Sequence, residues 1–325
     1  MNNSFRWGVI GTGGIARAFA KDLELTERHR VAHFGSRTLS KAEVLAKEFG
    51  AIPIAGYENL VNSEVDAIYV ATPHAIHSQN AILAIEAGKP VLVEKPFAGN
   101  AQQARAMIDA AKFHQVPLME AMWSRFLPHF IRVREIVDSG AIGEIISIQA
   151  DHGQQLPKDP YYRLHAPELA GGALLDLGIY PISLASMLLG RPERILAKGV
   201  INESGVDSQT STIFTYKNGA HAILTTTLLI RTPCLAKIIG TLGRIEIDSN
   251  FYTPTSIRTV IGGETIEYPN QYVGHGLREQ AVAFEELISS GKIESQVMSH
   301  AESLTIMETL DEIREQIGLK YPFES

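Results

Sequence analysis

The first third of the chain alternates short β-rich apolar runs with longer amphipathic stretches. Trp7 to Ile10, Val31 to Ser36, Ala67 to Ala71, Val91 to Glu94 and Val116 to Ala121 read as strands. Between them, Ser40 to Phe49 and Ile76 to Ala87 carry apolar residues at helical spacing. Strands alternating with helices predict a parallel sheet covered on both faces. Near Trp123 the pattern changes. A helix from Leu127 to Ser139 is followed by Ile-, Thr- and Val-rich runs at Glu144 to His152, Arg194 to Ile201, Thr210 to Tyr216, Ala220 to Leu229 and Ala236 to Ile239. A turn such as Asn218-Gly219 favours a hairpin, so this part reads as a mostly antiparallel sheet. An apolar helix at Leu174 to Leu189 interrupts it, and helices at Leu277 to Ser289 and Ser299 to Glu315 finish the chain. The expected fold class is α/β. Residues 1–122 are expected to form a doubly wound parallel-sheet domain, and residues 123–325 a second domain.

Composition agrees with two folded domains. The chain has 325 residues, 45% hydrophobic and 20% charged, enough for more than one ordinary core. A formal net charge of -7 with no basic stripe argues against nucleic acid and anionic membrane partners. The single cysteine, Cys234, permits no internal disulfide and no cysteine metal cluster, and no other ligand cluster suggests a metal. The opening residues lack a signal-peptide pattern, and no stretch reads as membrane-spanning. The expectation is a cytoplasmic protein.

Five motifs carry candidate chemistry. Gly11-Thr12-Gly13-Gly14-Ile15-Ala16 follows a strand and opens a helix. Glycines there permit a tight turn and close approach of a pyrophosphate, which the helix N-terminus favours, so residues 1–122 are expected to be a Rossmann-type dinucleotide-binding domain. Ser36-Arg37 ends the second strand without the acid that would bind a ribose 2′-hydroxyl. A hydroxyl and a guanidinium suit a 2′-phosphate, so NADP is expected over NAD. Ala71-Thr72-Pro73, with His77 beyond it, and Glu94-Lys95-Pro96 end two further parallel strands. Ligands bind at such carboxyl ends; a helix-start role for His77 and a surface position for Lys95 are the plainer alternatives. Finally, Asp176 and Tyr180 share a helix face in Gly171-Gly172-Ala173-Leu174-Leu175-Asp176-Leu177-Gly178-Ile179-Tyr180. On spacing alone, a capping aspartate and a packed tyrosine explain that pair better.

Taken together, these motifs resemble the glucose-fructose oxidoreductase, inositol dehydrogenase and MocA family over essentially the whole chain. Glu120-Ala121-Met122-Trp123-Ser124-Arg125-Phe126 and Asp176-Leu177-Gly178-Ile179-Tyr180-Pro181 are similar to the branch of dimeric dihydrodiol dehydrogenases and NADP-dependent aldose dehydrogenases. Many members carry histidine where this chain has Tyr180, which argues against the inositol dehydrogenase branch. The resemblance implies an α+β C-terminal domain with an open, mainly antiparallel sheet whose outer face makes a dimer or tetramer. It also implies a cis Lys95–Pro96 peptide and a catalytic site holding Lys95 and Asp176.

The chemistry expected is hydride transfer between nicotinamide and a CH–OH or carbonyl carbon of a sugar or cyclic diol. Tyr180 is the candidate acid/base, with Lys95 supplying a cation that favours its ionised form. Asp176 orients the lysine or the substrate. Gly11, Thr12, Gly13, Gly14, Ile15, Ser36, Arg37, Thr72, Pro73, His77, Glu94 and Lys95 are the expected cofactor contacts. Trp123, Arg125, Phe126 and Arg163 are the expected substrate contacts, though packing explains Trp123 equally well. Other carbonyl classes, such as an imine or a bilin, and a non-catalytic NADP-binding sensor remain the competing readings.

Overall fold

The computed structural model describes residues 4–157, 159 and 162–324. Contacts divide the chain into two units, residues 1–126 with 274–304, and residues 127–273 with 305–325.

The first unit is built on six parallel strands: β1 (Phe5–Ile10), β2 (His29–Ser36), β3 (Ile52–Ala55), β4 (Ala67–Val70), β5 (Val91–Glu94) and β6 (Leu118–Ala121). They lie in the order β3-β2-β1-β4-β5-β6, the doubly wound arrangement expected. Helices α1 (Gly14–Leu23), α2 (Leu39–Phe49), α3 (Tyr57–Val61), α4 (His77–Glu86) and α5 (Ala101–His114) connect them. Strands β4, β5 and β6 are buried along their whole length, which is why they read as continuous apolar runs. Between β1 and α1 the core is aromatic. Phe19 stacks on Tyr69 at 3.9 Å and meets Trp7 edge-on at 5.3 Å.

Residues 274–304 return to the first unit by contact. The cause is a buried carboxylate. Asp22, near the end of α1, accepts from the backbone of His275, Gly276 and Arg278 at 2.7, 3.0 and 2.9 Å. It thereby caps α8 (Leu277–Ser289). Phe284 of α8 then packs on Trp7 at 5.9 Å. Further on, Ile293 O accepts from Leu118 N at 3.0 Å, and the ring of His300 lies 3.0 Å from Leu118 O.

The second unit holds an eight-stranded sheet of β7 (Ile145–Gly153), β8 (Arg194–Ile201), β9 (Asp207–Thr215), β10 (His221–Thr227), β11 (Ala236–Gly240), β12 (Gly243–Ile247), β13 (Ile257–Ile261) and β14 (Glu264–Tyr268). The order is β14-β13-β12-β11-β7-β10-β9-β8. The β7–β10 pair is parallel and the other pairs are antiparallel. Asn218-Gly219 does turn β9 into β10, with Gly219 at φ +84°. Helices α6 (Pro128–Asp138) and α7 (Ile179–Leu189) belong to this unit, and α9 (His300–Ile317) crosses the division at 304/305. One correction concerns hydropathy. Pro167–Leu189 is long and apolar enough to cross a membrane, but 83% of that window is buried, so it serves as a core segment. Within it, a π-helical turn at Leu174–Gly178 runs into α7.

Candidate active site

Gly11 leaves β1 at φ +117°, and a Cβ there would lie 2.5 Å from the Ala71 carbonyl oxygen. The approach of the loop after β4 therefore demands this glycine as firmly as the turn does. Gly13 and Gly14 differ. A Cβ at either would meet no protein atom within 4 Å, so packing does not require glycine there; a group lying flat on the backbone does. Gly13 caps α1 with no side-chain hydrogen bond, and the first turn holds no acid. Its N–H groups face outward where an anion is favoured. Thr12 and Ile15 are half-buried beside them. These residues fit a dinucleotide pyrophosphate.

At the end of β2, Ser36 is buried and its carbonyl accepts from Gly56 N at 2.9 Å. Arg37 is exposed and pairs with no carboxylate among the described residues. It lies near Tyr57, where burial pushes the phenol up and the guanidinium pulls it down. A solvent-facing arginine at this strand end fits an added phosphate.

His77 is buried between two loops. It is 0% exposed, with Nε2 2.8 Å from Thr72 O and Nδ1 2.8 Å from Pro96 O. Burial pushes its pKa down to about 3, with neighbouring His74 adding to the effect. The ring is neutral, donates to one carbonyl at a time, and ties together the loops after β4 and β5. Thr72 Oγ1 accepts from Asn80 at 3.1 Å, and Pro73 is half-buried.

Glu94 also has an internal partner. Its carboxylate is buried and accepts the hydroxyl of Tyr69 inside the sheet. Lys95, the next residue, is half-buried at the carboxyl end of β5, and the Lys95–Pro96 peptide is cis. Phe97 N then donates to Glu120 Oε1 at 3.1 Å.

Trp123, Ser124, Arg125 and Phe126 form one buried 3-10 turn. Trp123 lies against His275, ring centres 5.1 Å apart. Arg125 is only 2% exposed, and its guanidinium is held by Glu302 at 2.6 Å. A buried, paired arginine braces the fold.

In the second unit, Asp176 sits on the π-helical turn and Tyr180 at the start of α7. Asp176 Oδ1 accepts from Arg163 at 2.9 Å, which joins two of the expected residues. Tyr161 lies outside the described residues. Tyr180 is buried against His152 at 5.3 Å and Tyr252 at 4.7 Å. Tyr252 stacks on His152 at 4.1 Å and accepts from Gln154 at 3.1 Å. Burial pushes the Tyr252 phenol up. His152 and Tyr252 were not anticipated; a histidine and an aromatic residue at strand and loop ends carry no local signal. Nor was Asp207, whose Oδ2 accepts from Leu174 N at 2.9 Å and Thr210 Oγ1 at 2.8 Å and so anchors the π-helical turn.

Two family descriptions match the chain: the oxidoreductase family with an NAD-binding Rossmann fold over residues 5–122, and the GFO/IDH/MocA C-terminal domain over residues 130–246. The chain belongs to the GFO/IDH/MocA family of oxidoreductases. It is 35% identical to a trans-1,2-dihydrobenzene-1,2-diol dehydrogenase of Xenopus tropicalis, over 98% of this chain and 99% of the relative. It is 34% identical to a D-xylose 1-dehydrogenase (NADP(+)) of Hypocrea jecorina, over 98% of this chain and 93% of the relative. The solved structure of an aldose-aldose oxidoreductase from Caulobacter crescentus, complexed with glycerol, superposes with a TM-score of 0.88 at 25% identity, covering 97% of both chains.

Proposed function

We propose that this protein is an NADP(H)-dependent dehydrogenase or reductase acting on a CH–OH or carbonyl carbon of a sugar or cyclic diol. The observation that carries the cofactor assignment is the ligand-facing surface of the first unit. Gly13 and Gly14 leave the start of α1 open, and Arg37 is exposed at the end of β2 with no carboxylate partner among the described residues. The substrate class rests on the relatives, a diol dehydrogenase and an NADP(+)-dependent xylose dehydrogenase.

When bound, NADP supplies the hydride acceptor or donor. Oxidation of an alcohol breaks a C–H bond, releasing a hydride, and an O–H bond, releasing a proton to a base. We assign that proton to Tyr180, which keeps its ring packed on His152 and Tyr252. Lys95 is assigned the cation that stabilises charge on the substrate oxygen, from the strand end where ligands bind in such sheets. Asp176 is held by Arg163 and is assigned to substrate orientation. Arg163, Trp123 and Phe126 remain candidate substrate contacts. His77 and Glu94 act behind the cofactor loops.

We further propose a cytoplasmic homo-oligomer that associates through the outer face of the second sheet. Leu196, Ile213 and Ile223 stand in one row across β8, β9 and β10, all exposed. Such a contiguous apolar strip on a sheet face is a feature of association surfaces.

The deciding experiment is a spectrophotometric screen of NADP+ reduction against aldoses, polyols and dihydrodiols, with NADPH binding followed by fluorescence. Turnover of at least one of these classes is expected. Tight NADPH binding with no turnover across the panel would favour the sensor reading instead.

A further inference from the structure

We propose that Glu120 is a positioning residue that holds the Lys95–Pro96–Phe97 turn in place for catalysis. The proposal rests on the assignment of Lys95 to the reaction and goes beyond it to what aims that lysine.

The turn is gripped from two sides. On one, His77 Nδ1 lies 2.8 Å from Pro96 O. On the other, Glu120 Oε1 accepts from Phe97 N at 3.1 Å. Phe97 is two residues beyond Lys95, so this bond fixes the backbone that leaves the lysine. Its geometry follows from the sheet. Glu120 lies on β6, whose neighbour is β5, and Val93 pairs with Glu120 while Glu94 pairs with Ala121. The Glu120 side chain is therefore placed to meet the chain just after it exits β5.

A carboxylate at this position has no packing rationale. Glu120 is buried, and burial pushes its pKa up to about 7 against the downward pull of Ser303, Arg125 and the Phe97 N–H. An apolar residue of similar volume would avoid that desolvation cost. What such a residue could not do is accept the Phe97 N–H, which would then be a buried donor without a partner.

The surroundings anchor the acceptor. Ser303 lies against Glu120, and the adjacent Glu302 pairs with Arg125 at 2.6 Å. His300 of the same helix reaches Leu118 O at 3.0 Å. The segment that returns from residue 274 thus braces β6, and Glu120 conveys that bracing to the turn that carries Lys95.

The test compares Glu120→Leu, which keeps volume and loses the acceptor, with Glu120→Gln, which keeps an acceptor oxygen. Amide hydrogen exchange over residues 95–98 reads the turn directly. Steady-state kinetics and NADPH binding read its consequence, with Lys95→Ala run in parallel. Glu120→Leu is expected to speed exchange in that peptide and to lower kcat by roughly ten- to a hundred-fold, since a small misplacement of a catalytic group has that effect. NADPH affinity should be unchanged, and Glu120→Gln should recover most of the turnover. If Glu120→Leu does not fold, Glu120→Asp, too short to reach Phe97 N, replaces it with the same expectations.

Wild-type exchange in the folded variant overturns the proposal. So does faster exchange with undiminished kcat while Lys95→Ala is inactive, or equal loss in the Leu and Gln variants. Loss of NADPH binding in step with kcat overturns it too, because that marks a general structural role. If Lys95→Ala itself turns over normally, the assignment of Lys95 fails first, and this proposal falls with it while the exchange result still stands.

Discussion

The Arg163 guanidinium lies 2.9 Å from the Asp176 carboxylate, with the arginine side chain 44% exposed and the aspartate 10%. The two partners are unequal. Removing the solvated arginine takes a cation away from the more buried charge, which is the costly half of such a pair. Arg163→Met is expected to destabilise the protein by about 1 kcal/mol, well below the figure for a fully buried pair because the arginine is partly screened by water. It should also lower kcat/KM, because Asp176 loses a partner that holds it. Arg163→Lys keeps the charge without the planar fork and should fall between the two. Urea titration and kinetics on the three proteins check this; a Met variant as stable and active as wild type removes the pair from the site.

Asp207 gives a pH dependence whose sign follows from burial. Desolvation pushes its pKa up to about 6, against the pull of Thr210, Leu174 and Ala173. A carboxyl raised above its unfolded value of 3.8 binds protons more tightly in the folded state. Its contribution to stability is therefore full below pH 3.8 and is lost as pH rises through about 6. Asp207→Asn removes that loss while leaving an amide oxygen to accept from Leu174 N. The difference in Tm, variant minus wild type, should be more positive at pH 8 than at pH 4.5. Calorimetry across that range decides it, and a difference that does not vary with pH contradicts the assignment.

Much of the first sheet was legible because β1, β2, β4, β5 and β6 are buried apolar runs bounded by turns. The strand that escaped, β3, is an edge strand with exposed or half-exposed residues and Pro53 within it, so neither burial nor alternation marks it. The edge of the second sheet was missed for the same reason. Glu264 to Glu267 in β14 are all exposed. The return of residues 274–304 had no local signal at all, since the Asp22 to Gly276 bond spans 254 positions.

The site shows a sharper division. Motif position located the loops correctly, but it could not say which way each side chain points. Lys95 stays half-buried at its strand end, while Glu94 turns into the sheet toward Tyr69. His77 and Arg125 are consumed by internal partners for which the sequence offers no local cue.

Cofactor choice turns on Arg37. With no carboxylate partner among the described residues and no acid at the end of β2, its loss should weaken NADP(H) far more than NAD(H), by ~1.5–3 kcal/mol for one charged hydrogen-bonding partner. Titration of Arg37→Ala with both cofactors checks this. Equal weakening of the two, or tighter NAD+ binding by the wild type, would count against it.

Association through the sheet face is tested at Ile213, the middle of the exposed row with Leu196 and Ile223. Ile213→Glu places a charge in the centre of an apolar surface without disturbing the unit's core. Light scattering is expected to show an oligomer for the wild type and a smaller species for the variant. A monomeric wild type at micromolar concentration disposes of the interface.

The last prediction concerns the two side chains assigned to the chemistry. Lys95→Ala and Tyr180→Phe should each fold and bind NADP(H), because neither side chain is among the contacts assigned to the adenosine or its phosphates. Each should lose most turnover, since a positioned acid/base typically contributes ~10²–10⁴-fold to rate. Removal of a preorganised cation has an effect of similar order. Tyr180→Phe deletes one oxygen and keeps the ring that packs on His152 and Tyr252, so a loss of rate in that variant reports on the hydroxyl. If both groups act on the same substrate oxygen, their effects are coupled, and the double variant should lose much less than the product of the two single losses. Fully multiplicative losses would mean independent roles. Near-wild-type turnover in both single variants would place the chemistry on other residues, whatever the cofactor does.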